Sequence, residues 1–208
     1  MTIIIGISGG VASGKNFVSD CFLEFGAKIF DADAQVAKLF SDDQNFQEII
    51  KKTFPFCISN NKIDKDLIAK KVFNNKSNLV LLEEIIHPII NKKMDEFIEN
   101  CKSNNIEIAL LNVPLLFDKK SYKKCDIAIL IISNINFRKE RFIKRQQDKN
   151  YKISESILLE RFDEIISNQK SDQEKEKLAD AVIYNNSDQE NIISQIKLIL
   201  KKYEDNNC

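Results

Sequence analysis

The chain has 208 residues, 31 Lys+Arg against 31 Asp+Glu and a formal net charge of +0 with 30% charged residues. That leaves room for one sizeable core but supplies no overall field to draw in nucleic acid or an anionic membrane. Its five cysteines, Cys21, Cys57, Cys101, Cys125 and Cys208, are scattered without a C-x-x-C pair, which fits reduced thiols in a cytosolic protein better than a disulfide framework or a zinc site.

No apolar run nears the roughly 18 residues of a membrane span. The start of the chain has no signal-peptide pattern, and Cys208 stands last and outside a prenylation box, so the expected location is the cytoplasm. In chain order, residues 2–7 are short, apolar and β-branched like a buried parallel strand, and Phe17, Val18, Cys21, Phe22 and Phe25 then recur at helical spacing until Gly26 stops them. Between them lies Gly9-Gly10-Val11-Ala12-Ser13-Gly14-Lys15-Asn16. Strand, G-x-x-x-x-G-K loop and helix together form a phosphate cradle, because glycines let backbone N–H groups converge on phosphate oxygens at the positive end of a helix while the lysine reaches the β- and γ-phosphates. The position after the lysine normally carries a Ser or Thr hydroxyl for Mg²⁺. Here it is Asn16, whose amide oxygen is still a hard ligand but sits one bond farther from the backbone.

A second strand is expected at 27–30, ending in Asp31-Ala32-Asp33. Ligands gather at the carboxyl ends of parallel strands, and alternate residues of an extended segment point the same way, so both carboxylates can face the loop. Equally, Asp33 can serve as the cap of a helix starting at Ala34.

Residues 46–101 read as helical with polar breaks at Ser59-Asn60-Asn61 and Asn74-Asn75-Lys76-Ser77, Asp64 and Ser77 as N-caps, and Pro88 in the first turn of a helix over 89–99. His87, the only histidine, lacks a Cys or second His nearby and reads as a hydrogen-bonding residue, not a metal ligand. Strands are expected at 106–113, 126–132 and 181–184, with residues 114–118 leaving the end of the first of these, and the closing helix turns Ile192, Ile193, Ile196, Ile199 and Leu200 to one side. Alternating strands and helices imply a parallel sheet.

Between the last two strands lies the most basic segment, with Arg138, Lys139, Arg141, Lys144, Arg145, Lys149 and Lys152. Arg138, Arg141 and Arg145 share one helical face. They are either a lid that closes on a phosphate chain or a solvated charged face. After them, 154–169 is an amphipathic helix with Ile157, Leu158, Phe162, Ile165 and Ile166 inward.

Two classes suit a phosphate loop on such a sheet, a small-molecule kinase and a nucleotide switch. Asn61-Lys62-Ile63-Asp64 matches the N-K-x-D guanine motif, but it lies far before the late strands, and a GTPase also needs D-x-x-G. All five glycines fall at positions 6 to 26, so that element is missing and a kinase is favoured.

Ile7-Ser8-Gly9-Gly10-Val11-Ala12-Ser13-Gly14-Lys15, Phe30-Asp31-Ala32-Asp33, Val72-Phe73, the 83–88 stretch ending in His87-Pro88, Val113-Pro114-Leu115-Leu116-Phe117, Gln169 with Lys175, and Ala179-Asp180-Ala181-Val182-Ile183 with Asn185 together resemble the dephospho-CoA kinase family, in that family's order. The resemblance implies an α/β P-loop kinase three-layer fold with a five-stranded parallel sheet. The whole chain, 1–208, would be a single domain containing a helical CoA-binding region at 41–104 and a lid at 137–170. It implies transfer of the ATP γ-phosphoryl, with Mg²⁺, to the ribose 3′-hydroxyl of dephospho-CoA. Asp33 would orient or deprotonate that hydroxyl beside Asp31, while Lys15 and the amides of residues 9–16 would hold ATP. Arg141 would be the foremost lid arginine, Arg145 the next, and His87 and Lys65 would lie by the acceptor.

Other acceptors, nucleoside monophosphates or shikimate, define the alternative within the class. Three positions depart from the family pattern: Asn16 for Ser, Lys65 for Arg, and a slightly longer lid through Lys149-Asn150-Tyr151. Small-molecule partners and a monomer are expected, with no nucleic acid and no membrane.

Overall fold

The computed structural model describes residues 2–59, 62–64, 67–68, 71–72, 75–117, 121–148 and 153–207. Asn60, Asn61, Phe73, Asn74, Asp118, Lys149, Asn150, Tyr151, Lys152 and Cys208, all used above, lie outside them. The chain divides into two compact units, Met1–Phe30 with Ile98–Cys208, and Asp31–Phe97.

The first unit is built on a five-stranded sheet in the order β2-β5-β1-β6-β7. Its strands are β1 (Ile3–Gly9), β2 (Lys28–Asp31), β5 (Ile108–Asn112), β6 (Ile127–Ile132) and β7 (Ala181–Tyr184). β1 is central and parallel to both neighbours, with Ile5 opposite Leu110 on one side and Ile127 on the other. On β6, Ile127, Ile129 and Ile131 enter one core with Val18, Cys21 and Phe22 of α1 (Lys15–Phe22) and Ile192 and Ile196 of the C-terminal helix Gln189–Asn207. Ala128 and Leu130, the alternate residues, pack on the opposite face with Leu116 and Phe117. Period-two alternation thus divides the strand between two covered faces, which is why its sequence is continuously apolar. Each such large side chain, fully buried, contributes roughly 1.5–3 kcal/mol, so a charge at Ile129, which is 0% exposed, would disrupt the sheet beside its central strand.

The amino ends of two strands are pinned by aspartates. Asp126 donates its N–H to the Ile4 carbonyl and accepts the Ile4 N–H on Oδ2, both at 2.8 Å. Asp180 does the same with Ala128, again at 2.8 Å. The carboxylate supplies the acceptor that the ladder lacks where a strand begins.

Because β1 leads by way of α1 to β2 on one side while β6 and β7 lie on the other, its carboxyl end is the topological switch point where α/β sheets bind ligands. β1 runs two residues farther than the sequence pattern indicates, to Gly9, and so delivers the glycine loop to that point. A 3-10 turn, Leu23–Phe25, follows α1 and ends at Gly26 with φ 71, a left-handed cap that glycine adopts without steric penalty.

The second unit holds α2 (Ala32–Asp42), α3 (Gln44–Thr53) and the start of α4 (Lys76–Ser103). Asp64 accepts the Leu67 N–H at 3.0 Å, as an N-cap does. Three expectations are corrected. Ile58–Ser59 and Lys62–Ile63 form an antiparallel pair, β3 and β4, inside a segment read as helical. Asn75, not Ser77, caps α4, accepting the N–H groups of Ser77 and Asn78 at 3.0 and 3.1 Å. Pro88 starts no helix but lies within the 28 residues of α4. Proline removes one i→i−4 bond there, and buried Ile90 and Met94 on the next turns hold the helix across the gap.

In the first unit, helix α5 (Ile135–Gln147) is joined to α6 (Glu155–Ser167) by Phe142 against Phe162, ring centroids 5.5 Å apart. Leu158 and Phe162 are fully buried. Ile157 is 45% exposed instead of inward, since it lies about 100° round the helix from Leu158.

Candidate active site

After Gly9 the loop turns on itself. Ser13 N–H donates to the Gly10 carbonyl at 3.1 Å, and α1 opens with Val18 N–H on the Gly14 carbonyl, also at 3.1 Å. Ala12 at φ 56 and Gly14 at φ 90 are both left-handed. Such reversals aim successive amides into one concavity, a ready anion site, and the first-turn N–H groups of α1 have no partner within the helix. Only glycine suits position 14, where a Cβ would also run into Asn185 Nδ2. Ala12 holds a conformation that disfavours side chains, while Val11 and Ala12 pack on Phe142, Leu158 and Phe162. Lys15 Nζ reaches back to the Gly9 carbonyl at 3.2 Å, so the cation stands over the loop.

The two helices after β6 grip this loop, and the three aligned arginines do different work. Arg138, 6% exposed, donates Nε to the Val11 carbonyl at 2.9 Å and Nη1 to Asp172 Oδ2 at 3.2 Å. Burial draws its pKa below the ordinary arginine value, and Asp172 opposes that shift. Arg138 is therefore a structural clamp. Arg141 donates to the Ser133 hydroxyl at 3.1 Å, the Asn185 carbonyl at 3.2 Å and the Ser13 carbonyl at 3.5 Å. Its guanidinium lies against the loop at the N-terminus of α1. Arg145 is exposed, and no hydrogen bond among the described residues ties it to the loop. The three aligned arginines therefore differ in burial and in contacts, residue by residue.

Further contacts complete the cradle. Asn185 Nδ2 donates to the Ser13 carbonyl at 2.8 Å, and Gln169 Oε1 accepts the Val11 N–H at 3.2 Å. Ser133 Oγ donates to the Asn185 carbonyl at 2.8 Å. Two buried atoms, Ser13 Oγ and Asn185 Oδ1, have no partner among the described residues. Residue chemistry alone does not single out Gln169, Asn185 or Ser133; the only sequence signal for the first two is their place in the family pattern.

Asn16 is exposed at the start of α1, and its Oδ1 accepts from Asn112 Nδ2 at 3.1 Å. Asn112, at the carboxyl end of β5 and paired in register with Ile7, escaped the sequence reading. Among the described residues no group of three or more His, Cys, Asp or Glu side chains is placed to hold a metal. The Asn16 amide would offer Mg²⁺ one neutral oxygen, a hard donor of the kind that ion takes.

The second unit carries the other candidates. Asp31 Oδ1 accepts the Ala34 N–H at 2.9 Å, so Asp31 and not Asp33 is the helix cap. Asp33 lies exposed in the first turn of α2. Asp31 and Asp33 do not share a face, because the backbone turns helical at Ala32 and residues i and i+2 of a helix point apart. His87 is half-buried in the middle of α4, not at a helix junction. Lys65 lies outside the described residues.

A family model described as dephospho-CoA kinase matches residues 3–191. A dephospho-CoA kinase from Wolbachia sp. subsp. Brugia malayi is 32% identical over 95% of this chain and 96% of its own length. The structure of dephospho-CoA kinase from Campylobacter jejuni superposes with a TM-score of 0.65 at 25% identity, covering 99% of this chain and 100% of that one. Shikimate kinase from Acinetobacter baumannii, at 14% identity and a TM-score of 0.54 over 99% and 95% of the two chains, shares the fold. No described helix is long and apolar enough to cross a membrane.

Proposed function

This chain belongs to the dephospho-CoA kinase family, whose reaction is the ATP-dependent phosphorylation of dephospho-CoA to coenzyme A, and we propose how its own residues divide that work. The loop from Gly9 to Gly14 and the first turn of α1 hold the ATP phosphates through the amides not already bonded within the protein, the Val11 and Ser13 N–H groups being engaged by Gln169 Oε1 and the Gly10 carbonyl. Lys15 Nζ exchanges the Gly9 carbonyl for β- and γ-phosphate oxygens. Asp33 accepts the hydrogen bond of the ribose 3′-hydroxyl and takes its proton as the new O–P bond forms and the bond to the ADP oxygen breaks. Arg141, its guanidinium against the loop, neutralises the transferring group, with Arg145 behind it. Asp31, Lys65 and His87 serve the acceptor. Mg²⁺ bound with ATP would supply positive charge to the phosphates, and Asn16 would be the residue to hold it. Such chemistry needs little beyond placement and charge neutralisation.

We assign acceptor binding to residues 41–104 and the lid to residues 137–170, in a monomer working in the cytoplasm. The observation that carries the reading is the loop itself, with Ala12 and Gly14 left-handed at the start of α1. A coupled ADP-release assay tests it. Turnover should require dephospho-CoA, and equal or greater turnover with AMP or shikimate would replace this reading with the other kinase class.

A further inference from the structure

Resting on the reading that ATP fills this loop, we propose that Asn16 and Asn112 act as one unit, a neutral amide pair in the place where P-loop enzymes keep a hydroxyl and a carboxylate. In those enzymes the metal is held by the loop Ser/Thr and by an acid at the end of a nearby strand. Here the residue after the loop lysine is Asn16. The side chain that meets it from the neighbouring strand is Asn112, at 3.1 Å. Asn112 is 4% exposed, at a strand position paired with Ile7 of β1, and its Nδ2 donates to Asn16 Oδ1.

That donor decides which end of the Asn16 amide is presented. With one lone pair of Oδ1 on Asn112 Nδ2, the second remains for a cation, and the exposed position of Asn16 leaves it open to one. A carboxylate at 112 would set acceptor against acceptor at this separation unless the Asn16 amide turned over. The two amides are therefore matched to each other. Asn112 is a positioning residue, and the pair brings no negative charge to the metal.

The consequences are separable by binding measurements that need no turnover. Mn²⁺ is the probe, followed by electron paramagnetic resonance in the presence of adenosine 5′-(β,γ-imido)triphosphate, with calorimetry of the analogue alone as the control. Outer-sphere partners of metal ligands are typically worth about 10–100-fold in metal affinity. Asn16→Ala and Asn112→Ala should each weaken Mn²⁺ binding by about 10-fold, and the double variant should be no weaker than either alone. Asn112→Asp, the same size and therefore less apt to disturb the fold, should tighten Mn²⁺ by about 10-fold and erase the effect of Asn16→Ala, because the carboxylate takes over the contact.

Multiplying effects in the double variant, or an Asn112→Asp protein with unchanged Mn²⁺ affinity, would overturn the proposal. If the natural chain fails to bind the metal-free analogue, the ATP-site reading falls and takes this one with it. Analogue binding with no coupling between the two asparagines overturns only the pair.

Discussion

Arg138 Nε donates to the Val11 carbonyl at 2.9 Å, fastening α5 to the phosphate loop across 127 residues of chain. With Asp172 on its other side, the guanidinium fixes the direction of one loop carbonyl. Arg138→Ala should lose about 1–3 kcal/mol of stability, the range for deserting hydrogen-bonded buried groups, and should weaken ATP binding. Arg138→Lys should fall between, since a point charge cannot span both partners. Denaturant unfolding and ATP calorimetry check this. An Arg138→Ala protein matching the parent in both would reduce the contact to incidental packing.

Asp31 and Asp33 separate by readout. Asp31→Ala removes the cap bond to Ala34 and should cost about 1 kcal/mol in unfolding free energy. Asp33→Asn, in a turn that is already capped, should leave stability and ATP affinity near the parent values while kcat falls at least about 10²-fold. Unchanged kcat would remove Asp33 from the proposed chemistry.

Gly14 faces two constraints, its φ of 90 and the Asn185 amide that a Cβ would meet. Gly14→Ala should therefore cost at least about 2 kcal/mol, from left-handed strain and a disturbed buried hydrogen bond to the Ser13 carbonyl. ATP binding should be lost with it. Full ATP affinity in that variant would show that the cradle does not depend on this turn.

Cys125 carries a pH dependence. Burial, with Asp126 and then Asp180 adding repulsion, pushes its thiol from 9.0 up to about 12. Because the folded protein holds this proton more tightly than the unfolded chain, the contribution to stability is complete below about pH 9 and is lost as pH rises toward 12. Urea unfolding of the native chain should weaken over that alkaline window, and Cys125→Ala should flatten the decline. The native thiol should also resist alkylation at pH 8, at which the protonated form prevails. Rapid labelling of the folded protein at Cys125 would contradict this.

What the sequence determined by itself rests on local chemistry. Glycine spacing between an apolar strand and an amphipathic helix marked the loop from Gly9 to Lys15. Continuous apolar runs marked the five sheet strands to within about two residues, and the ordered set of motifs marked the family. The short pair at Ile58–Ser59 and Lys62–Ile63 has too few residues for a period to register, and the propensity of Pro88 to begin a helix yielded to burial on both following turns of α4.

Only the tertiary structure could say that Arg138 clamps, Arg141 faces the loop and Arg145 stays in solvent, for all three look alike on a helical wheel. Nor does any local signal join Asn112 to Asn16 or Asn185 to Ser13, separated by 96 and 172 residues. Those contacts exist because strand order places β5 and β6 on either side of β1 and brings side chains from distant segments to one end of the sheet.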